Sequence, residues 1–177
     1  AISLDGTTIK ERLDAPVYVP RADFEMKRGT PTGNSGCEDP RIVRIENMLH
    51  MTYTAYDVVH PPAGAVSSIR VDDFLARRFD QWSTPFILTP ENFDDKDLVL
   101  LPEKINENSL LYHRINNQIC ADLLPNLFSG KRVSRCIDIM GPRLGMWAGL
   151  KVGSAAPPIK VGDNWLMIYH GVSRHKT

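Results

Sequence analysis

The chain holds 177 residues, with 21 basic and 21 acidic side chains and a formal net charge of zero. That balance excludes general nucleic-acid or polyanion binding, which requires a basic face, and no apolar run approaches the roughly 20 residues of a membrane span. The hydrophobic fraction of 42% is that of an ordinary globular domain.

Taken in chain order, the first six residues read as a strand end entering an Asp5-Gly6 turn rather than as a leader, so the true N-terminus is expected upstream. A turn-rich stretch then leads into Glu38-Asp39-Pro40-Arg41, two carboxylates and a guanidinium in four residues. Pro40 blocks helix and biases Asp39 toward an extended conformation. An Asx-type turn with a surface ion pair is the plain alternative. Residues 48–54 are predicted as a strand. Residues 72–79 are predicted as a short helical turn capped by Asp72 or Asp73. Lys96, between Asp95 and Asp97, reads as part of a solvated charge run. Residues 98–101, 109–113 and 165–170 are further strand candidates, and residues 121–128 fit either strand or helix.

Three of these segments echo one another. Each has a proline, a short aliphatic stretch, an acidic-Asn pair and then an apolar run. Aligned on Asn47, Asn108 and Asn164, the echoes are 61 and 56 residues apart. Glu46-Asn47, Glu107-Asn108 and Asp163-Asn164 are predicted as two-residue hairpin turns. Thirteen prolines and twelve glycines punctuate the short runs, as in all-β folds. A period near 60 leaves room for four strands per unit, the size of a propeller blade with extra loops. The expectation is a single all-β domain over residues 1–177, an incomplete β-propeller with about three blades. Either the chain is a fragment or closure comes from other material, and an incomplete propeller favours association with a further copy. Tyr53, Arg114 and His170 stand six residues after the three asparagines. Equivalent positions of a radial repeat face a common axis, so these three are predicted to converge.

Cys37, Cys120 and Cys136 are an odd set without metal spacing. A disulfide framework is not expected, each reads as a small core residue, and a reducing, cytoplasmic compartment fits. His50, His60, His113, His170 and His175 do not form a metal-ligand spacing either, so no metal or other cofactor is expected. The plain reading of Arg114 is an ion pair with Glu103, and that of Lys151 an exposed lysine. Trp82, Trp147 and Trp165 offer stacking surfaces for sugar rings, with Trp165 fitting the core better. No Gly-rich phosphate loop or nucleophile elbow is present.

Taken together, Gly36-Cys-Glu-Asp-Pro-Arg-Ile42, residues 51–57, residues 96–105, His113-Arg114, residues 151–159 and residues 165–172 resemble glycoside hydrolase family 130, the mannoside phosphorylases and β-mannosidases. The order and approximate spacing of the pieces match over nearly the whole chain. The resemblance implies a five-bladed β-propeller, of which this chain covers the middle, and an inverting reaction. Asp39 matches the family's catalytic acid, which passes its proton through a sugar hydroxyl. Inorganic phosphate, a co-substrate, takes the place of the activated water, so one catalytic carboxyl suffices where an ordinary inverting hydrolase needs two. Arg114, Lys151 and His170 match the phosphate grip, and Lys96 stands where many phosphorylases carry Arg. Glu38, Arg41, Tyr53, Asp57 and Glu103 fall in motifs expected to hold a β-manno-oligosaccharide or mannosyl glycoside. Hydrolytic members supply a glutamate base; Ala148 stands beside Trp147, where many members carry an acidic residue. Glu38 and Glu103 are the remaining candidates for that role. The expected activity is phosphorolysis of a β-mannoside to α-mannose 1-phosphate. The alternatives are a β-mannosidase using water and a non-catalytic sugar-binding fragment.

Overall fold

The computed structural model describes residues 2–29 and 33–173; Ala1, residues 30–32 and residues 174–177, with His175 among them, lie outside the described residues. Twelve strands account for most of the regular structure among the described residues, with one five-residue α-helix and two 3₁₀ turns. The all-β expectation holds at that level. Strands β1 (Gly36–Ile45), β2 (Met48–Tyr56), β3 (Ala63–Arg70) and β4 (Phe86–Ile87) form one antiparallel meander in that order. Strands β5 (Lys96–Ile105), β6 (Asn108–Ile115), β7 (Gln118–Leu124) and β8 (Ile137–Met140) form a second. A third unit is partial. β9 (Lys151–Ser154) pairs with β12 (Tyr169–Val172), and β10 (Ile159–Val161) pairs with β11 (Asn164–Leu166). The predicted strand over residues 165–170 is therefore broken. Ala155 and Ile168 hold the break together through one backbone bond of 3.0 Å. No closed propeller forms among the described residues.

The core lies between the first two sheets. Val43, Ile45, Val66, Leu88, Leu98, Leu100, Leu111 and Leu124 form one buried cluster. β5 is buried without alternation from Asp97 to Leu101. Leu98-Val99-Leu100-Leu101 is the sequence signature of a strand covered on both faces. Each leucine there contributes about 1.5–3 kcal/mol of burial. The sheets approach so closely that Gly64 on β3 has no room for a side chain: a Cβ would lie 2.0 Å from Leu98 Cδ1. Gly64→Ala is expected to lower the unfolding free energy by about 1–3 kcal/mol through overpacking, read from the urea midpoint at constant m-value.

The predicted hairpin turns are real but two of them sit one residue earlier. Glu46 and Asn47 link Ile45 to Met48 as expected. The second turn is Asn106-Glu107, both at positive φ (47° and 63°), with Asn108 already paired to Ile105. The third is Gly162-Asp163, with Asn164 paired to Val161. Asn47 is thus a turn residue, whereas Asn108 and Asn164 are first strand residues. The short helix, α1 (Val71–Leu75), follows β3 directly. Arg70 is its N-cap, with no side-chain cap bond, and Asp72 and Asp73 lie inside its first turn instead of capping it. Residues 121–124 belong to β7.

Cys120 and Cys136 are joined as a disulfide, their Cα atoms 4.9 Å apart. This corrects the expectation of three unbridged core cysteines. Strand pairing is the reason: β8 lies against β7 with Asp138 opposite Cys120, which brings Cys136 alongside.

Candidate active site

The one-residue slip in the turns decides which side chains meet. A strand shows alternate residues to opposite faces, so a shift of one exchanges faces. Counted from the first strand residue, the counterpart of Arg114 and His170 is Thr54, not Tyr53. Pairing agrees: Glu38 faces Thr54, Lys96 faces Arg114 and Gly153 faces His170. Arg114 and His170 do converge, with Arg114 Nη1 3.4 Å from His170 Nε2. Tyr53 points the other way, into a cluster with Met51, Ala55, Ala65, Ile69 and Trp82. Its hydroxyl donates to Glu25 Oε1.

Glu25 was not singled out in the sequence. It is fully buried. Oε1 also accepts from the Tyr18 hydroxyl at 2.6 Å, and Oε2 accepts from the Arg21 and Ala22 amides at 2.7 and 2.8 Å. Burial first, and then the Glu25 carboxylate, push the Tyr53 hydroxyl well above the usual tyrosine range. The Cys37 thiol leans on the same carboxylate. Although Cys37 is an exposed residue and not the core residue expected, partial desolvation of its thiol and then the Glu25 charge push it up to about 12, which makes it a poor nucleophile.

Asp39 sits in a β-bulge. Between Glu38–Thr54 and Arg41–Thr52 the register gains one residue on β1. Asp39 adopts φ 50° there, so the extended conformation expected before Pro40 is overturned. The bulge, a device that re-aims a side chain, leaves the residue exposed. Its carboxylate has no hydrogen-bond or ion-pair partner among the described residues.

Asp97 repeats this geometry in the second sheet. It lies in the bulge between Lys96–Arg114 and Val99–Tyr112, with φ 55°. Unlike Asp39 it is buried, 3% exposed. Oδ2 takes Arg114 Nη1 at 2.5 Å and lies 3.5 Å from His170 Nε2. Oδ1 lies 3.4 Å from Arg41 Nη2. Asp95 is buried as well, 2.8 Å from His113 Nδ1. Its carboxyl is pushed up by burial, with His113 opposing. The charge run around Lys96 is therefore not solvated: its two carboxylates are internal, and the lysine between them is half-buried. The ion pair of Arg114 is made with Asp97, not with Glu103.

Arg41 is the second element joining the sheets. Its Nε donates to Ala155 O at 2.9 Å and Nη2 to Ser154 O at 3.0 Å, both in the third unit. Nη1 donates to the Asp39 carbonyl at 3.0 Å. The guanidinium thus spans three sheets and fixes the backbone of the exposed carboxylate. Its donors are used internally, which suits a strut better than a sugar contact. Lys151 begins β9 opposite Val172, two ladder positions from the Gly153–His170 pair.

Three of the remaining expected residues lie elsewhere or stand apart. Glu38 is half-buried beside the bulge, opposite Thr54. Glu103 lies near the far end of β5, about 23 Å along the strand from Lys96 at ~3.3 Å per residue, where it pairs with Lys160 at 2.5 Å. Asp57 closes the turn after β2. It accepts from the Val59 and His60 amides at 3.0 and 2.9 Å and lies 2.9 Å from His60 Nδ1. Burial would raise its carboxyl, but these bonds outweigh that and hold it at about 2. Its stabilising effect is present above about pH 4 and is lost as pH falls through about 2. Asp57→Asn is expected to flatten the drop in urea midpoint between pH 5 and pH 2. An unchanged drop would assign acid sensitivity to other carboxylates. Asp57 also borders a cavity of about 340 Å³ with Phe24, His60, Pro90, Phe93 and Arg132, a hollow that none of Asp39, Arg41, Asp97, Arg114 or His170 lines. Among the tryptophans, Trp82 is core, Trp147 is 53% exposed and stacked on Tyr169 at 5.4 Å, and Trp165, expected in the core, is half-exposed beneath Lys160.

All 177 residues match the family described as beta-1,4-mannooligosaccharide phosphorylase. The chain is 35% identical, over 99% of its length, to the beta-1,2-mannobiose phosphorylase of Thermoanaerobacter sp. strain X514, and covers 52% of that protein. It is 31% identical, over 96% of its length, to the 1,2-beta-oligomannan phosphorylase of the same strain, covering 51%. Its fold superposes with a TM-score of 0.70 on a glycosyl hydrolase from Bacteroides ovatus, at 22% identity, covering 96% of this chain and 50% of the other. The chain thus spans about half the length of the curated relatives it matches, and it belongs to glycoside hydrolase family 130.

Proposed function

We propose that this chain carries the acid and part of the anion site of an inverting phosphorylase acting on β-mannosides. The observation that carries the reading is the contrast between two equivalent bulges. One presents an exposed, unpartnered carboxylate at Asp39. The next leads to a basic rim of Lys96, Arg114 and His170, with Lys151 beginning the adjacent strand. The three sheet units are taken as blades of a five-bladed propeller whose remaining blades come from outside this sequence.

In the proposed reaction a phosphate oxygen attacks the anomeric carbon as the glycosidic C–O bond breaks. Asp39 supplies a proton, relayed through a sugar hydroxyl, to the departing oxygen. The products are α-mannose 1-phosphate and the shortened sugar. Arg114, His170, Lys96 and Lys151 neutralise the phosphate, with the guanidinium fork and the lysine point charges in complementary roles. Asp97 is 3% exposed and held by Arg41, Arg114 and His170, so it does not stand open to an attacking water, which supports phosphorolysis over hydrolysis. The names of the relatives support it too, and make the β-1,2 linkage the first to test.

The experiment is sugar-phosphate release from β-1,2- and β-1,4-mannobiose with and without inorganic phosphate, using the full-length protein. The expected result is phosphate-dependent mannose 1-phosphate. Free mannose formed at equal rate without phosphate would move the assignment to a mannosidase, and no turnover in either condition would leave a sugar-binding role.

A further inference from the structure

Asp97 has no role in the expected site, yet two of the four expected anion-binding residues, Arg114 and His170, contact it. A buried carboxylate surrounded by cations orders them. Without it, the Arg41 and Arg114 guanidiniums would lose the carboxylate they share, and His170 would lose its neighbour on that side. The surroundings are built for this carboxylate. Its bulge turns the backbone into the left-handed region at φ 55°, an uncommon conformation for a residue with a side chain. Gly153 faces it from β9, where a Cβ would stand 2.2 Å from Asp97 Oδ2 and 2.6 Å from His170 Cε1. Only glycine lets the third unit close on the pair. Arg41 then ties the same carboxylate to the Asp39 carbonyl.

We propose that Asp97 is the positioning residue of the anion site: it holds Arg114 and His170 in one constellation and, through Arg41, keeps that constellation in register with the Asp39 bulge. The inference rests on the phosphorylase reading. It assigns Asp97 no contact with substrate. Its effect is to spare the incoming anion the cost of gathering its ligands.

The test is the split between the two Michaelis constants in the full-length protein carrying Asp97→Asn, which keeps shape and removes charge. The phosphate KM is expected to rise about tenfold, the scale of one misplaced charge-assisted contact, while the mannoside KM stays within about twofold. The stabilisation of wild type by inorganic phosphate in thermal unfolding is expected to shrink in parallel. Gly153→Ala, which crowds the carboxylate and imidazole without touching either charge, is expected to shift the phosphate KM in the same direction. It carries the test should Asp97→Asn fail to fold. An unchanged or lowered phosphate KM in the variants, with only a fall in Tm, would overturn the role and leave Asp97 a structural ion pair. Absence of phosphate dependence in wild type would instead overturn the phosphorylase reading itself, so the two failures are distinct.

Discussion

On the proposed phosphorylase reading, replacing Asp39 by Asn is expected to lower kcat about 1,000-fold, within the range that a positioned general acid contributes. Thermal stability is expected to stay near the wild-type value. Two features separate chemistry from folding here. The carboxylate is exposed and accepts no bond among the described residues, so removing its charge breaks nothing internal. The bulge needs a residue that tolerates φ 50°, and Asn adopts the left-handed region as readily as Asp. Steady-state kinetics beside a melting curve checks both statements. Retention of more than roughly a tenth of wild-type kcat would remove Asp39 from the role of acid, since general-acid loss costs at least about a hundredfold.

The largest stability effect is expected at Arg41. Arg41→Met keeps much of the side-chain volume but deletes a 9%-exposed guanidinium with partners in three sheets. It leaves the Ser154 and Ala155 carbonyls unpaired and Asp97 short of one cation. Breaking a buried charged network of this kind costs about 3–5 kcal/mol. Urea unfolding should show a lower midpoint with little change in m. Arg44→Met is the internal control. Arg44 lies on the same strand but is exposed and, among the described residues, bonds only the Glu46 carbonyl, so its replacement should stay within about 0.5 kcal/mol. Equal losses at the two positions would mean that the Arg41 contacts contribute nothing beyond strand context. Arg41→Lys is expected to resemble Met more than wild type, because a single ammonium cannot reproduce a fork aimed at four acceptors.

Much of this fold is legible in the sequence. Turn pairs between apolar runs are local chemistry, so the hairpins at Ile45–Met48, Ile105–Asn108 and Val161–Asn164 were readable to within one residue. The Leu98-Val99-Leu100-Leu101 run was readable as a strand, while its burial on both faces came from the packing of the sheets. The repeat of such hairpins announced an all-β architecture, and the convergence of Arg114 with His170 followed from their shared phase.

The limits were equally physical. Hairpin register is set by which residues adopt positive φ, and an acidic-Asn pair does not say whether Asn closes the turn or opens the strand. That single residue sent Tyr53 to Glu25 and left Thr54 in the phase of the site. Asp95 and Asp97 look like a hydrated charge run because burial is a property of the surrounding sheets, not of the segment. Their partners His113, Arg114, Arg41 and His170 lie from 17 to 73 positions away in the chain. The Cys120–Cys136 bridge escaped for the same reason, since it depends on β8 returning against β7. The sequence by itself determined the all-β class, the hairpins to within a residue and the residue types able to bind an anion. Tertiary structure alone decided which of two equivalent bulged aspartates, Asp39 or Asp97, stays open to solvent and which is enclosed by cations, because only the packing of three sheets around Arg41 and Gly153 sets the burial of each.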